Sequence, residues 1–112
     1  MSGISTHVLD LTLGKPVSGL AVRLERVEGG LCLPLTTQVT DEYGRCSELL
    51  AREQVRSEVY RLIFETGDYF GQRKIVALYP EVTVTFAVHE EGGNYHIPLL
   101  LSPNGFTTYR GS

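Results

Sequence analysis

Apolar side chains keep to alternate positions in five stretches of this chain, with one gap at Thr37: Leu20, Val22 and Leu24; Leu33, Leu35 and Val39; Tyr60, Leu62 and Phe64; Val82, Val84, Phe86 and Val88; and Ile97, Leu99 and Leu101. Period two puts such residues on one face of an extended segment, so each stretch predicts a strand with one face to bury. A further strand near the start alternates as Ile4, Thr6 and Val8 against Ser5, His7 and Leu9. Turn formers punctuate the chain at Gly14-Lys15-Pro16, Glu28-Gly29-Gly30, Asp41-Glu42-Tyr43-Gly44, Gly67-Asp68, Tyr79-Pro80, Glu91-Gly92-Gly93-Asn94 and Ser102-Pro103-Asn104-Gly105. Seven or eight short strands without long helices between them predict an all-β fold, an antiparallel two-sheet β-sandwich. No repeat or linker interrupts the pattern, so residues 1–112 read as a single domain.

Two segments depart from the alternation. Ser47 to Ser57 is rich in helix formers behind a capping serine, and on propensity alone it predicts a short helix. Thr66 to Lys74 offers a capping threonine, an early acid and late bases, which suit the dipole of a second short helix. Tyr95 to Thr108 predicts two strands joined by a turn, and Tyr109-Arg110-Gly111-Ser112 follows directly. Last residues normally fray. An end tied into a sheet would instead hold an arginine, a hydroxyl and a carboxylate at a fixed position, as a site requires.

Composition narrows the classes. Apolar residues make up 42% and charged ones 21% of 112 residues, which suits a globular domain with one core, and the longest apolar runs are too short to cross a membrane. The net charge of -3 comes without a basic cluster, so no nucleic-acid partner is expected. Met1 to His7 carries no basic stretch followed by an apolar core, which predicts a cytoplasmic location. Cys32 and Cys46 lack paired Cys-x-x-Cys spacing, so both are expected as reduced thiols packed like small apolar residues.

Histidine is the scarce resource, because imidazole titrates near neutrality and is the commonest general base there. His89 follows the Val82 to Val88 strand and runs into Glu90-Glu91, as a solvated strand end does. His7 and His96 lie within predicted strands, where a histidine taken alone is more often structural than catalytic. Asp41-Glu42-Tyr43-Gly44-Arg45 reads as a tight turn with Arg45 at the following strand start. That arginine is either a surface charge or a rigid fork of donors for a planar polar ligand, and spacing does not choose between the two. No Ser-His-Asp or Cys-His set emerges from an elbow motif.

Ser5-Thr6-His7-Val8-Leu9-Asp10, Asp41 to Arg45, and Tyr95 to Ser102 followed by Tyr109-Arg110-Gly111-Ser112 together resemble the 5-hydroxyisourate hydrolases, transthyretin-related enzymes of urate breakdown. Gly14-Lys15-Pro16 and Thr66 to Phe70 also follow that pattern, and the closing Tyr-Arg-Gly-Ser is its most specific mark. The resemblance implies a prealbumin-like sandwich of two four-stranded sheets with one short helix. It also implies a homotetramer, a dimer of dimers, with sites in the channel where dimers meet. Carried over, the catalytic positions fall on His7, Arg45, His96 and Ser112, and substrate binding on His7, Arg45, Tyr109 and Ser112. It further implies irregular chain, rather than helix, over Ser47 to Ser57. Many bacterial relatives carry His-Tyr-His where this chain has Asn94-Tyr95-His96, and the first of those histidines is associated with metal in some of them. With Asn94 in place, the expectation is hydrolysis without a metal or other cofactor.

The reaction so implied opens 5-hydroxyisourate by water attack on an amide-type carbonyl. It needs a base for the water and a donor for the oxyanion. Two imidazoles and a guanidinium meet that need. Two competing uses are a transthyretin-like carrier of small ligands without catalysis and a plain scaffolding sandwich. A carrier of apolar ligands gains little from titrating and cationic groups.

Overall fold

Strand alternation is realised in most of the computed structural model, which describes residues 3–112, but not along Leu33, Leu35 and Val39, where the register slips at Pro34 and Val39 is 59% exposed. Nine strands form: β1 (Ile4–Asp10), β2 (Lys15–Pro16), β3 (Ala21–Glu28), β4 (Leu31–Val39), β5 (Arg45–Leu50), β6 (Val59–Phe64), β7 (Val82–Ala87), β8 (Tyr95–Ser102) and β9 (Gly105–Thr108). One helix, α1 (Thr66–Gln72), joins β6 towards β7.

One sheet runs β4-β3-β6-β7 and the other β2-β1-β8-β9, with β5 pairing β1 on the edge that β2 also uses. That second sheet therefore has five strands in four lateral places, because β2 pairs the end of β1 at Leu9 and Asp10 while β5 pairs its beginning. Every pair is antiparallel except β1 with β8, which run parallel. The antiparallel expectation fails there because no hairpin links the first strand to the eighth.

The two inner faces meet in one core. Ile4, Val8, Val22, Leu24, Leu62, Phe64 and Leu99 are at most 1% exposed. Burying each such side chain contributes about 1.5–3 kcal/mol relative to exposure. Tyr60 is also fully buried, stacks on Phe86 and accepts the Arg56 backbone N–H at 3.0 Å through its hydroxyl. Pro34 sits within β4, which an edge strand tolerates because one side of its ladder is unpaired. The pairing of β3 with β4 slips there, from Leu24 opposite Thr36 to Glu25 opposite Pro34.

Ser47 to Ser57 forms neither the helix that propensity suggests nor wholly irregular chain. Its first part continues β5 to Leu50, and a 3-10 turn follows at Arg52–Gln54. Cys46, Leu49 and Val55 must reach the core, and that demand overrides a propensity difference of a few tenths of a kcal/mol per residue. Helix α1 forms as expected, but Thr66 is its first residue rather than its cap. Glu65 precedes it without a side-chain cap bond, and the Thr66 hydroxyl is buried without a hydrogen-bond partner. The Gly67-Asp68 turn signal lies inside this helix. Tyr69 docks the helix by donating to Asp10 Oδ2 at 2.7 Å. The same buried carboxylate accepts the Thr12 and Leu13 backbone N–H groups on Oδ1, which fixes the chain just after β1. Burial, and then the bond to Asp10, push the Tyr69 hydroxyl up to about 12, so it stays a donor.

Cys46 packs as a small apolar residue, and burial raises its thiol to about 11. Cys32 does not: it is exposed on β4, where Arg61 donates to its sulfur at 3.1 Å.

Candidate functional site

β1 is the spine on which the site is assembled. Its parallel partner β8 sets Ser5 beside His96 and His7 beside Pro98. On its other side, β5 sets Arg45 opposite His7. Strand parity sends Ile4, Thr6, Val8, Cys46 and Ile97 towards the core, so Ser5, His7, Arg45 and His96 share the outer face of this sheet. The Ser5 hydroxyl lies 2.9 Å from His96 Nδ1, which fixes the ring.

Arg45 is presented by a tightly bound turn. Asp41 Oδ1 accepts the backbone N–H groups of Tyr43 and Arg45 at 2.9 and 3.0 Å, and the Asp41 carbonyl accepts that of Gly44. Gly44 has a φ of 78°, and a Cβ there would lie 2.5 Å from the Val8 carbonyl oxygen. Both the left-handed backbone and the close approach to β1 demand glycine.

The closing segment returns to the same place. Gly111 bridges His96, donating its N–H to the His96 carbonyl at 2.7 Å. Arg110 stacks over the Tyr95 ring at 4.2 Å and donates to the Asn94 carbonyl at 3.1 Å. Arg110, whose sequence context assigns it no chemistry, therefore clamps this segment onto β8. Ser112 follows it into a hollow of about 440 Å³, which Ser5, Arg45, His96 and Glu48 also line. That volume lies within the roughly 300–1,000 Å³ of small-molecule sites.

His7 stands one strand from His96 and close enough for its charge to lower the His96 pKa. Tyr109 is not brought to this hollow within the chain. It lines a second one, of about 460 Å³, with Phe86, Tyr95 and Ile97, and His89 lies there as well. Within the single chain three of the five expected residues, Arg45, His96 and Ser112, line this hollow, His7 stands opposite Arg45 on β1, and Tyr109 lies at the other hollow.

Both imidazoles are held below their ordinary range. For His96 the causes are burial, then the Arg45 guanidinium, then His7. For His7 they are burial and then Arg45, opposed by a bond to the Tyr43 backbone and by Asp41. Neutral imidazoles beside a permanent cation can accept a proton from water while a guanidinium meets negative charge. Among the described residues, no group of three or more His, Cys, Asp or Glu side chains is arranged to hold a metal ion.

Ser5 and Glu48 line this hollow, and motif reading passes over both. Ser5 shares its strand face with His7, and that parity is the signal that could have found it. Glu48 carries no such signal, because a bulge in β5 decides where it faces.

The sequence matches the model of the HIUase/transthyretin family over residues 4–111. It is 44% identical to a 5-hydroxyisourate hydrolase of Halalkalibacterium halodurans, covering 100% of both chains. It is 42% identical to that of Mus musculus, covering 99% of this chain and 96% of the relative. Among solved structures, Klebsiella pneumoniae 5-hydroxyisourate hydrolase superposes with a TM-score of 0.85 at 33% identity, covering 100% of both chains. Transthyretin from Sparus aurata superposes with 0.93 at 28% identity, covering 99% and 97%.

Proposed function

This chain belongs to the HIUase/transthyretin family, and on that premise we propose that it hydrolyses 5-hydroxyisourate to 2-oxo-4-hydroxy-4-carboxy-5-ureidoimidazoline in urate degradation. Relatives 38–44% identical over nearly the whole chain carry the hydrolase name. The observation that carries the reading is His96 in one hollow with Arg45, both histidines being biased towards the neutral form.

In this reading His96, with His7 nearby, orients and deprotonates the attacking water. Arg45 binds the planar substrate and meets the developing oxyanion, while Ser112 hydrogen-bonds the ring. The protein acts as a dimer of dimers, and the outer face of β1, β5 and β8 becomes part of a channel. Tyr109 then contributes to substrate binding only if assembly or closure brings it to the hollow.

A transthyretin-like carrier is the second reading, favoured by the higher TM-score to the Sparus aurata protein. Backbone likeness does not decide function, whereas the side chains in the hollow bear on chemistry directly. The test is to generate 5-hydroxyisourate with a urate oxidase and follow its ultraviolet absorbance. Accelerated decay that His96→Ala lowers by about 10²–10⁴-fold supports the hydrolase. Decay at the spontaneous rate leaves the carrier.

A further inference from the structure

The pairing of β1 with β5 slips once. Thr6 faces Cys46 and Ile4 faces Leu50, so the single residue Ser5 lies opposite Ser47, Glu48 and Leu49. Cys46 and Leu49 are both buried, at 3% exposure, which leaves Ser47 and Glu48 as two consecutive outward residues where plain alternation allows one. A bulge of this kind re-aims a side chain. Here it turns Glu48 out of the core-facing parity and into the wall of the hollow shared by Arg45 and His96. Gln38, from the opposite sheet, holds the bulge in place by donating to the Glu48 carbonyl at 2.9 Å.

The Glu48 carboxylate is the one acidic side chain lining that hollow among the described residues. The ion pairs among those residues, Arg23–Glu65, Arg26–Glu28 and Arg26–Glu58, leave it out. Glu48 is carried by β5 and His96 by β8, strands that pair β1 on opposite sides. A cyclic ureide presents ring N–H donors as well as carbonyl acceptors. Arg45 only donates, so the N–H groups remote from the attacked carbonyl need an acceptor. Resting on the hydrolase reading above, we propose that Glu48 is a specificity-determining residue that accepts hydrogen bonds from those ring N–H groups.

The test compares Glu48→Ala and Glu48→Gln with the wild-type protein on enzymatically generated 5-hydroxyisourate. Loss of the side-chain acceptor should raise KM about tenfold in Glu48→Ala with kcat within about twofold, while Glu48→Gln, keeping one oxygen, rises only about threefold. The acid limb of the pH profile stays where it is in both. An unchanged KM in Glu48→Ala overturns the proposal. So does a fall in kcat with a displaced acid limb, which would mean that Glu48 acts through the imidazoles. If the wild-type protein leaves the decay at its spontaneous rate, the hydrolase reading falls and takes this proposal with it. A normal wild-type rate with an unmoved KM removes only Glu48.

Discussion

Ser5 and His96 stand side by side on parallel strands, with the serine hydroxyl 2.9 Å from imidazole Nδ1. Ser5 is buried, at 5% exposure, so its hydroxyl has few alternatives to that bond. Ser5→Ala should leave the fold intact and free the ring to turn. A hydrogen bond of ordinary strength converts to a fall in kcat of about two- to twelvefold. Steady-state kinetics read this directly, and an unchanged kcat would show that the bond does not orient the base.

The lowered imidazole pKa values set a pH dependence. A base must be neutral to act, so kcat/KM should fall as pH drops through an acid limb lying below the ordinary value of 6.5. Two neighbouring histidines titrate as a pair, and the limb belongs to both. Replacing Arg45 with methionine keeps much of the stem and removes the cation, so the limb should move up towards 6.5 even as the rate falls. The same shift acts on folding. Folded-state values below the unfolded 6.5 mean that the unfolded chain binds more protons, so stability is lost as pH falls below about 6.5 and through the folded values. Urea midpoints across that range check the sign.

Gly111 passes so near β8 that an added Cβ would lie 2.7 Å from His96 Cδ2 and 3.1 Å from Pro98 Cγ. Gly111→Ala must displace either the imidazole or the closing segment. Misplacement of a catalytic group by about an ångström can cost on the order of 10²-fold, so kcat should drop between about tenfold and a hundredfold. Global stability should change by less than about 0.5 kcal/mol, because the segment lies at the surface. Parallel activity and denaturation measurements separate the two effects.

Tyr69→Phe removes the donor to Asp10 Oδ2 and leaves a carboxylate oxygen unpaired at a residue only 2% exposed. The expected loss is about 1–3 kcal/mol in urea unfolding. Because the bond lies away from the hollow, KM should stay near its wild-type value.

How much of this was legible in the sequence depends on whether a feature is local. Period two located Val22 and Leu24, Leu62 and Phe64, and Leu99 and Leu101 as inward faces, and the turn before Arg45 was readable from Asp41 and Gly44. The parallel neighbour of β1 was not readable, since no connecting turn announces it. Nor was the β5 bulge, because Ser47 to Ser57 carries helix-forming residues and only the needs of Cys46, Leu49 and Val55 reveal why it is extended. His7, Arg45 and His96 were candidates by residue type and took their roles from resemblance, whereas Ser5 and Glu48 emerged only from register.

The parallel pairing of β1 with β8 has a consequence for how the molecule comes into being. Ser5 and His96 are 91 positions apart in sequence, and closing so long a loop must precede any reward from the contact. A hairpin such as β3 with β4 closes around Gly29 and Gly30 and can zip early. On a ribosome, β1 therefore waits without its β8 neighbour until nearly all of this sequence has emerged. A chain grown as far as β7 has one complete sheet available to it and still lacks His96.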